Sequence, residues 1–187
     1  MCINILPFKI PKDSLVYPGS FNPLHEGHIA LVKAALDTLK ASRRSVQNKE
    51  EEEKEEGSSH PPVVFEISVT NADKPPLLKH EILKRLSQFT ESNPLFKAYG
   101  ISNFCVCITS EPFFIDKSNI FRGSSFIVGA DTLSRLINPK YYDNSEALMI
   151  SALSIMKDRG YNIVNLNNLF LTFFHFHSQQ SNFYMKL

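Results

Sequence analysis

The residues best equipped for chemistry stand together near the N-terminus, in Gly19-Ser20-Phe21-Asn22-Pro23-Leu24-His25-Glu26-Gly27-His28. His25 and His28 are one helical turn apart, so both imidazoles project to the same side of a helix start. Histidine titrates near neutral pH, and either ring could be neutral or cationic. Gly19 lets the chain turn sharply and brings backbone close to a ligand. The N–H groups of Ser20 and Phe21 could then face a phosphate. Pro23 fixes the loop, and Gly27 keeps the space between the histidines clear. A helix N-terminus carries free N–H groups and a partial positive charge, and a nucleotide phosphate is the fitting anion. Two imidazole donors beside it suit a phosphoryl group that gains charge as a bond breaks.

Such a loop needs a strand before it and a helix after it. Ser14 to Tyr17 reads as a short apolar strand. From His28 to Lys40 apolar residues recur at Ile29, Val32, Leu36 and Leu39, which is helical spacing. Val63–Ser68 reads as a second strand, followed by the polar loop Asn71–Pro76. Leu78, Ile82, Leu83, Leu86 and Phe89 mark an amphipathic helix. Phe104–Thr109 and Phe126–Gly129 read as the third and fourth strands, and a short helical run spans Leu133–Ile137. Ser145 caps a helix that reaches Arg159 and stops at Gly160, and Tyr161–Val164 is the fifth strand.

This alternation predicts an α/β fold, a Rossmann-like doubly wound parallel sheet of strand order 3-2-1-4-5. Where that order reverses, the first and fourth strands are neighbours, and ligands bind beyond their carboxyl ends. The Gly19–Asn22 loop would therefore lie beside Gly129-Ala130-Asp131. A plainer reading makes Asp131 an ordinary helix-start residue and Lys74 a surface lysine.

Composition narrows the classes. The 187 residues, 43% of them apolar, are enough for one domain, expected over residues 14–164. Residues 1–13 read as a lead-in. Residues 43–62 hold the run Lys49–Glu56 and read as an acidic, disordered, low-complexity insertion; residues 165–187 form a Phe-rich tail. With a net charge of +1 and no clustered basic stripe, no nucleic-acid partner is expected. No apolar run nears the roughly 20 residues of a membrane helix. Met1–Lys12 lacks the order of a signal peptide. Three cysteines make no disulfide framework, so cytoplasm or nucleus is expected. Cys105 and Cys107 read as core residues rather than metal ligands, and no protein metal site is assigned.

The Gly19–His28 stretch resembles the first signature of the nucleotidylyltransferase superfamily, the His-x-Gly-His enzymes. Within it, the chain looks like nicotinamide or nicotinate mononucleotide adenylyltransferases, in a eukaryotic adenylyltransferase-like branch. Phe126-Ile127-Val128-Gly129-Ala130-Asp131-Thr132-Leu133 resembles the second landmark, and Phe65–Ser68 with Asn71–Leu77 resembles the segment after strand two. The resemblance implies transfer of AMP from ATP to a pyridine mononucleotide phosphate with release of pyrophosphate, a step of NAD biosynthesis. It implies catalytic roles for His25 and His28, nucleotide contacts from Gly19, Ser20, Phe21, Gly27, Gly129 and Asp131, and substrate contacts from Asn22 and Lys74. It also implies Mg2+ carried with ATP; from charge and apolar run length no nucleic-acid or membrane partner is expected, and a homo-oligomer is left open.

The family's third landmark, an Ile-Ser-x-Thr-x-x-Arg turn whose arginine clamps the triphosphate, has no counterpart here. The sequence holds no arginine after Arg159. The tail therefore reads as a truncated, spliced or diverged end. Loss of a bidentate arginine contact implies weak ATP binding and low or absent turnover, so a nucleotide-binding remnant is one alternative reading; another superfamily member, such as a cytidylyltransferase or a phosphopantetheine adenylyltransferase, is a third, and the Phe126–Asp131 loop argues against it.

Overall fold

The computed structural model describes residues 3–4, 10, 13–46 and 61–164, with the side chains of residues 3–4 and 42–46 left aside. Most of the expected insertion (47–60), the Phe-rich tail and Cys2 lie outside the described residues.

Among the described residues six strands form one sheet: β1 (Ile3–Asn4), β2 (Leu15–Pro18), β3 (Val63–Ser68), β4 (Phe104–Thr109), β5 (Ser125–Ile127) and β6 (Asn162–Val164). The spatial order is β1-β4-β3-β2-β5-β6, and every pairing is parallel. For the five strands expected from the sequence this is the order 3-2-1-4-5. β1 is an addition. It falls in the stretch read as a lead-in and places Ile3 opposite Val106.

A central parallel strand is covered on both faces, so its residues run apolar without alternation. β3 follows this rule with Val63, Val64, Phe65 and Ile67 buried, and Glu66, also buried, is its one charged exception. Leu15, Val63, Phe65 and Ile67 pack under α1 (Glu26–Val46), α2 (Lys79–Leu86) and α3 (Pro94–Ala98). Val16, Val64 and Phe126 face the opposite layer: α4 (Phe114–Ile120), α5 (Ala130–Leu136), a 3-10 turn (Pro139–Tyr141) and α6 (Glu146–Asp158). On the first face Phe65 lies 5.0 Å from Phe89, 5.6 Å from Phe21 and 5.7 Å from Phe96 between ring centres. Such aromatic pairs add about 0.5–1.5 kcal/mol each beyond their buried area.

α1 begins at Glu26, two residues before the expected start, so His28 lies in its first turn and His25 just ahead of it. An acidic side chain is stabilised at a helix start. Ser145 caps α6 as expected, its hydroxyl accepting the Leu148 N–H at 3.2 Å. α3 and α4 were not anticipated. At five and seven residues they are too short to show a helical period. Among the described residues no helix is long and apolar enough to cross a membrane.

Candidate functional site

β2 and β5 are hydrogen-bonded neighbours, with Val16 opposite Phe126. The Gly19–Asn22 loop and the Gly129–Asp131 loop therefore leave from adjacent strands at the carboxyl end of the sheet. This is the crevice where strand order reverses.

The first loop is held from both sides. The Gly19 N–H donates to the Glu66 carbonyl at 2.9 Å. Phe21 has φ +44° and its ring is fully buried among Tyr17, Phe65 and Phe89, so it offers a ligand only its backbone. From α2, Arg85 Nη1 donates to the Ser20 carbonyl at 3.1 Å. Gln88, in the turn after α2, clips the loop twice. Its Nε2 donates to the Phe21 carbonyl at 3.0 Å, and its Oε1 accepts the Leu24 N–H at 2.7 Å. Ser20 and Asn22 are exposed at the tip, and the Asn22–Pro23 peptide is cis.

Gly19 needs its missing side chain. A Cβ there would stand 2.6 Å from Cζ of Phe21 and 2.8 Å from Cε1. The ring cannot retreat, because Tyr17, Phe65 and Phe89 wall it in. Gly19→Ala is expected to lower unfolding free energy by about 1–3 kcal/mol, the usual cost of overpacking. Urea denaturation checks it; an unchanged midpoint would show the loop to be slack.

His25 and His28 stack, ring centres 3.7 Å apart and planes 29° from parallel. The backbone N–H of His25 donates to Nδ1 of His28 at 3.2 Å. Burial, and then the neighbouring His25, lower the pKa of His28 to about 4. At neutral pH His28 is therefore uncharged, and with Nδ1 accepting, its proton is assigned to Nε2, which becomes the donor. The ring edges against Phe21 at 5.2 Å and tilts on Tyr17 at 6.0 Å, which fixes its plane. Gly27 leaves room for this, since a Cβ would come within 3.2 Å of the His25 ring.

Gly129 is the N-cap position of α5, and nothing lies within 4 Å of where its Cβ would be. Asp131 is exposed in the first turn. Lys74 is exposed in the loop after β3, next to Asp73. The Asp73 carboxylate meets Lys140 Nζ at 3.0 Å and the Tyr141 hydroxyl at 2.9 Å, and hydrogen bonds first from Lys140 and then from Tyr141 lower its pKa.

Several residues of the site were missed in the sequence. Glu66 is fully buried beneath the loop, its Oε2 accepting from Lys117 Nζ at 2.6 Å and its Oε1 from the Thr109 hydroxyl. The signal was there: a carboxylate inside an apolar strand must have a partner. Arg85 likewise occupies a position between Ile82 and Phe89 in the apolar stripe of its helix, and it is 8% exposed. Among the described residues no three His, Cys, Asp or Glu side chains gather as a metal site.

A search of curated proteins finds no match to the chain. A family model described as cytidylyltransferase-like matches residues 16–63, which carry β2, the glycine–histidine loop and α1. That match is consistent with the nucleotidylyltransferase superfamily and supports a nucleotidyltransferase-type function for this chain.

Proposed function

We propose that the chain transfers AMP from ATP to the phosphate of a pyridine mononucleotide. The observation that carries this is the stacked histidine pair at a helix start, with a neutral His28 that presents Nε2–H. An oxygen of the mononucleotide phosphate attacks the α-phosphorus of ATP. The bond from that phosphorus to the oxygen bridging to the β-phosphate breaks, and pyrophosphate leaves with the electron pair. His25 and His28 hydrogen-bond the non-bridging oxygens as they gain charge. The loop Gly19–Asn22 and the start of α5, with Gly129 and Asp131, hold the nucleotide. Lys74 and Asn22 contact the acceptor. No covalent intermediate is needed, so positioning and charge stabilisation carry the rate. Magnesium carried in with ATP would offset the charge of the triphosphate, and no side chain of this chain is assigned to hold it.

Incubating the purified chain with Mg·ATP and either nicotinamide or nicotinate mononucleotide tests this. Dinucleotide and pyrophosphate in equal amounts are expected, at a low rate. A second reading follows from residues 160–187, which hold no arginine. In it the chain binds nucleotide without turning it over. Calorimetric binding of Mg·ATP with no dinucleotide formed would select that reading, and no binding at all would defeat both.

A further inference from the structure

Asp73 makes a contact that neither the fold nor the histidine pair requires. It belongs to the loop between β3 and α2, and α2 covers one face of the sheet. Its three partners belong to the other face: Lys140 at 3.0 Å, Tyr141 at 2.9 Å and Arg135 at 3.9 Å. In the sheet, β2 alone separates β3 from β5. A link between the segments leaving those two strands must therefore cross the carboxyl end of β2, where the Gly19 loop begins. The link spans the crevice from one helical layer to the other.

The charges on this link are unbalanced, two cations to one carboxylate. The side chains of Arg135 and Lys140 are 56% and 63% exposed, so each keeps donors open to solvent. Arg135 sits at ion-pair distance from Asp73 and makes no hydrogen bond among the described residues. Two other cations near the loop are tied into the fold, while Lys74 is exposed beside Asp73. Arg85 is held by the Ser20 carbonyl, and Lys117 is buried against Glu66. His28, with its pKa lowered to about 4, brings no charge at neutral pH. An anionic substrate in this crevice needs fixed positive charge, and the link supplies it.

Resting on the reading of the crevice as a nucleotide phosphate site, we propose that Arg135 and Lys140 bind the phosphate chain of the substrate, and that Asp73 latches them across the crevice until the phosphates displace it. The guanidinium fork suits two phosphate oxygens at once, and the ammonium suits a single one.

Calorimetry on the full chain, with Mg·ATP and with adenosine as probes, tests this. The double variant Arg135→Gln with Lys140→Gln should bind Mg·ATP at least about 10-fold more weakly, with a shallower salt dependence, and should bind adenosine unchanged. Both residues are exposed, so circular dichroism should match the wild type. Asp73→Asn, which frees the cations, should tighten Mg·ATP binding a few-fold. Equal Mg·ATP affinity in the wild type and the double variant overturns this proposal alone. An equal loss of adenosine binding does so too, since it would mark a general collapse of the site. Unchanged or weaker binding in Asp73→Asn removes the latch. Absence of Mg·ATP binding by the wild type overturns both this proposal and the reading beneath it.

Discussion

Replacing His28 with alanine is expected to cut the proposed adenylyl transfer about 10²–10³-fold in kcat, the usual cost of removing one preorganised donor to a developing anion. The variant loses Nε2–H, the donor that stacking on His25 and the His25 N–H hold in a fixed plane. His28→Gln keeps an N–H of similar reach and should recover part of the rate. Steady-state kinetics checks this, and a wild-type kcat in His28→Ala would remove the residue from the mechanism. The same side chain carries a pH signature. In the fold its pKa is about 4, and in the unfolded chain about 6.5. Between those values the unfolded state binds the extra proton, so stability falls as pH drops through that window and is fully present above it. His28→Ala should therefore show a flatter fall in Tm than the wild type from pH 6.5 to pH 4. Because the ring stays neutral down to that range in the free fold, kcat/KM, which reports the free enzyme, should not titrate with His28 between pH 5 and pH 8.

Lys117→Met is expected to destabilise the fold by roughly 3–5 kcal/mol, the cost of leaving a buried charge without its partner. Lys117 and Glu66 have side chains 6% and 1% exposed, and their charged atoms are 2.6 Å apart. Without the ammonium, Glu66 would keep only the Thr109 hydroxyl on Oε1. For a chain of this size the loss corresponds to a fall of roughly 6–20 °C in Tm. Adding Glu66→Leu to Lys117→Met should recover much of it, because an apolar pair of similar volume removes the desolvation cost from both sides. Calorimetric scans of the single and double variants check both statements. If the double variant is no better than the single, the loss comes from packing rather than from the stranded carboxylate. The site should feel the single change as well, since the Glu66 carbonyl accepts the N–H of Gly19.

The fold was legible where local pattern decides it. Val63–Ser68 and Phe104–Thr109 are apolar, β-branched runs, and as buried parallel strands they could be little else. Their alternation with helical periods then left few orders to choose from. The glycine–histidine loop was legible because each residue in it has a local reason. The residues that shape the loop were not. Gln88 and Arg85 act on it from 64 to 67 positions further along, and Lys117 meets Glu66 across 51. Arg85 sits in an apolar period where it looks like an exception, Gln88 lies in a turn and Lys117 in a helix too short to show a period, and no local rule names the partner of a buried polar group. Asp73 was passed over in favour of Lys74 for the same reason, since its role depends on Lys140 and Tyr141.

The Gln88 clip has a consequence for how freely the motif can travel. Residues 19–28 contain every letter of the signature, yet the loop's path depends on a side chain that a peptide of residues 13–46 would lack. Grafted alone onto another scaffold, the stretch would keep its histidines and lose their placement. A portable unit must run from Leu15 at least to Lys117, so that β3, α2 and the partners of the buried Glu66 travel with the loop. Lengthening the connection between the two halves is cheap, because closure cost grows only with the logarithm of length, about 0.6 kcal/mol per doubling. An acidic stretch can thus be written between residues 46 and 61 with little penalty, while a single change at Gln88 reaches the loop directly.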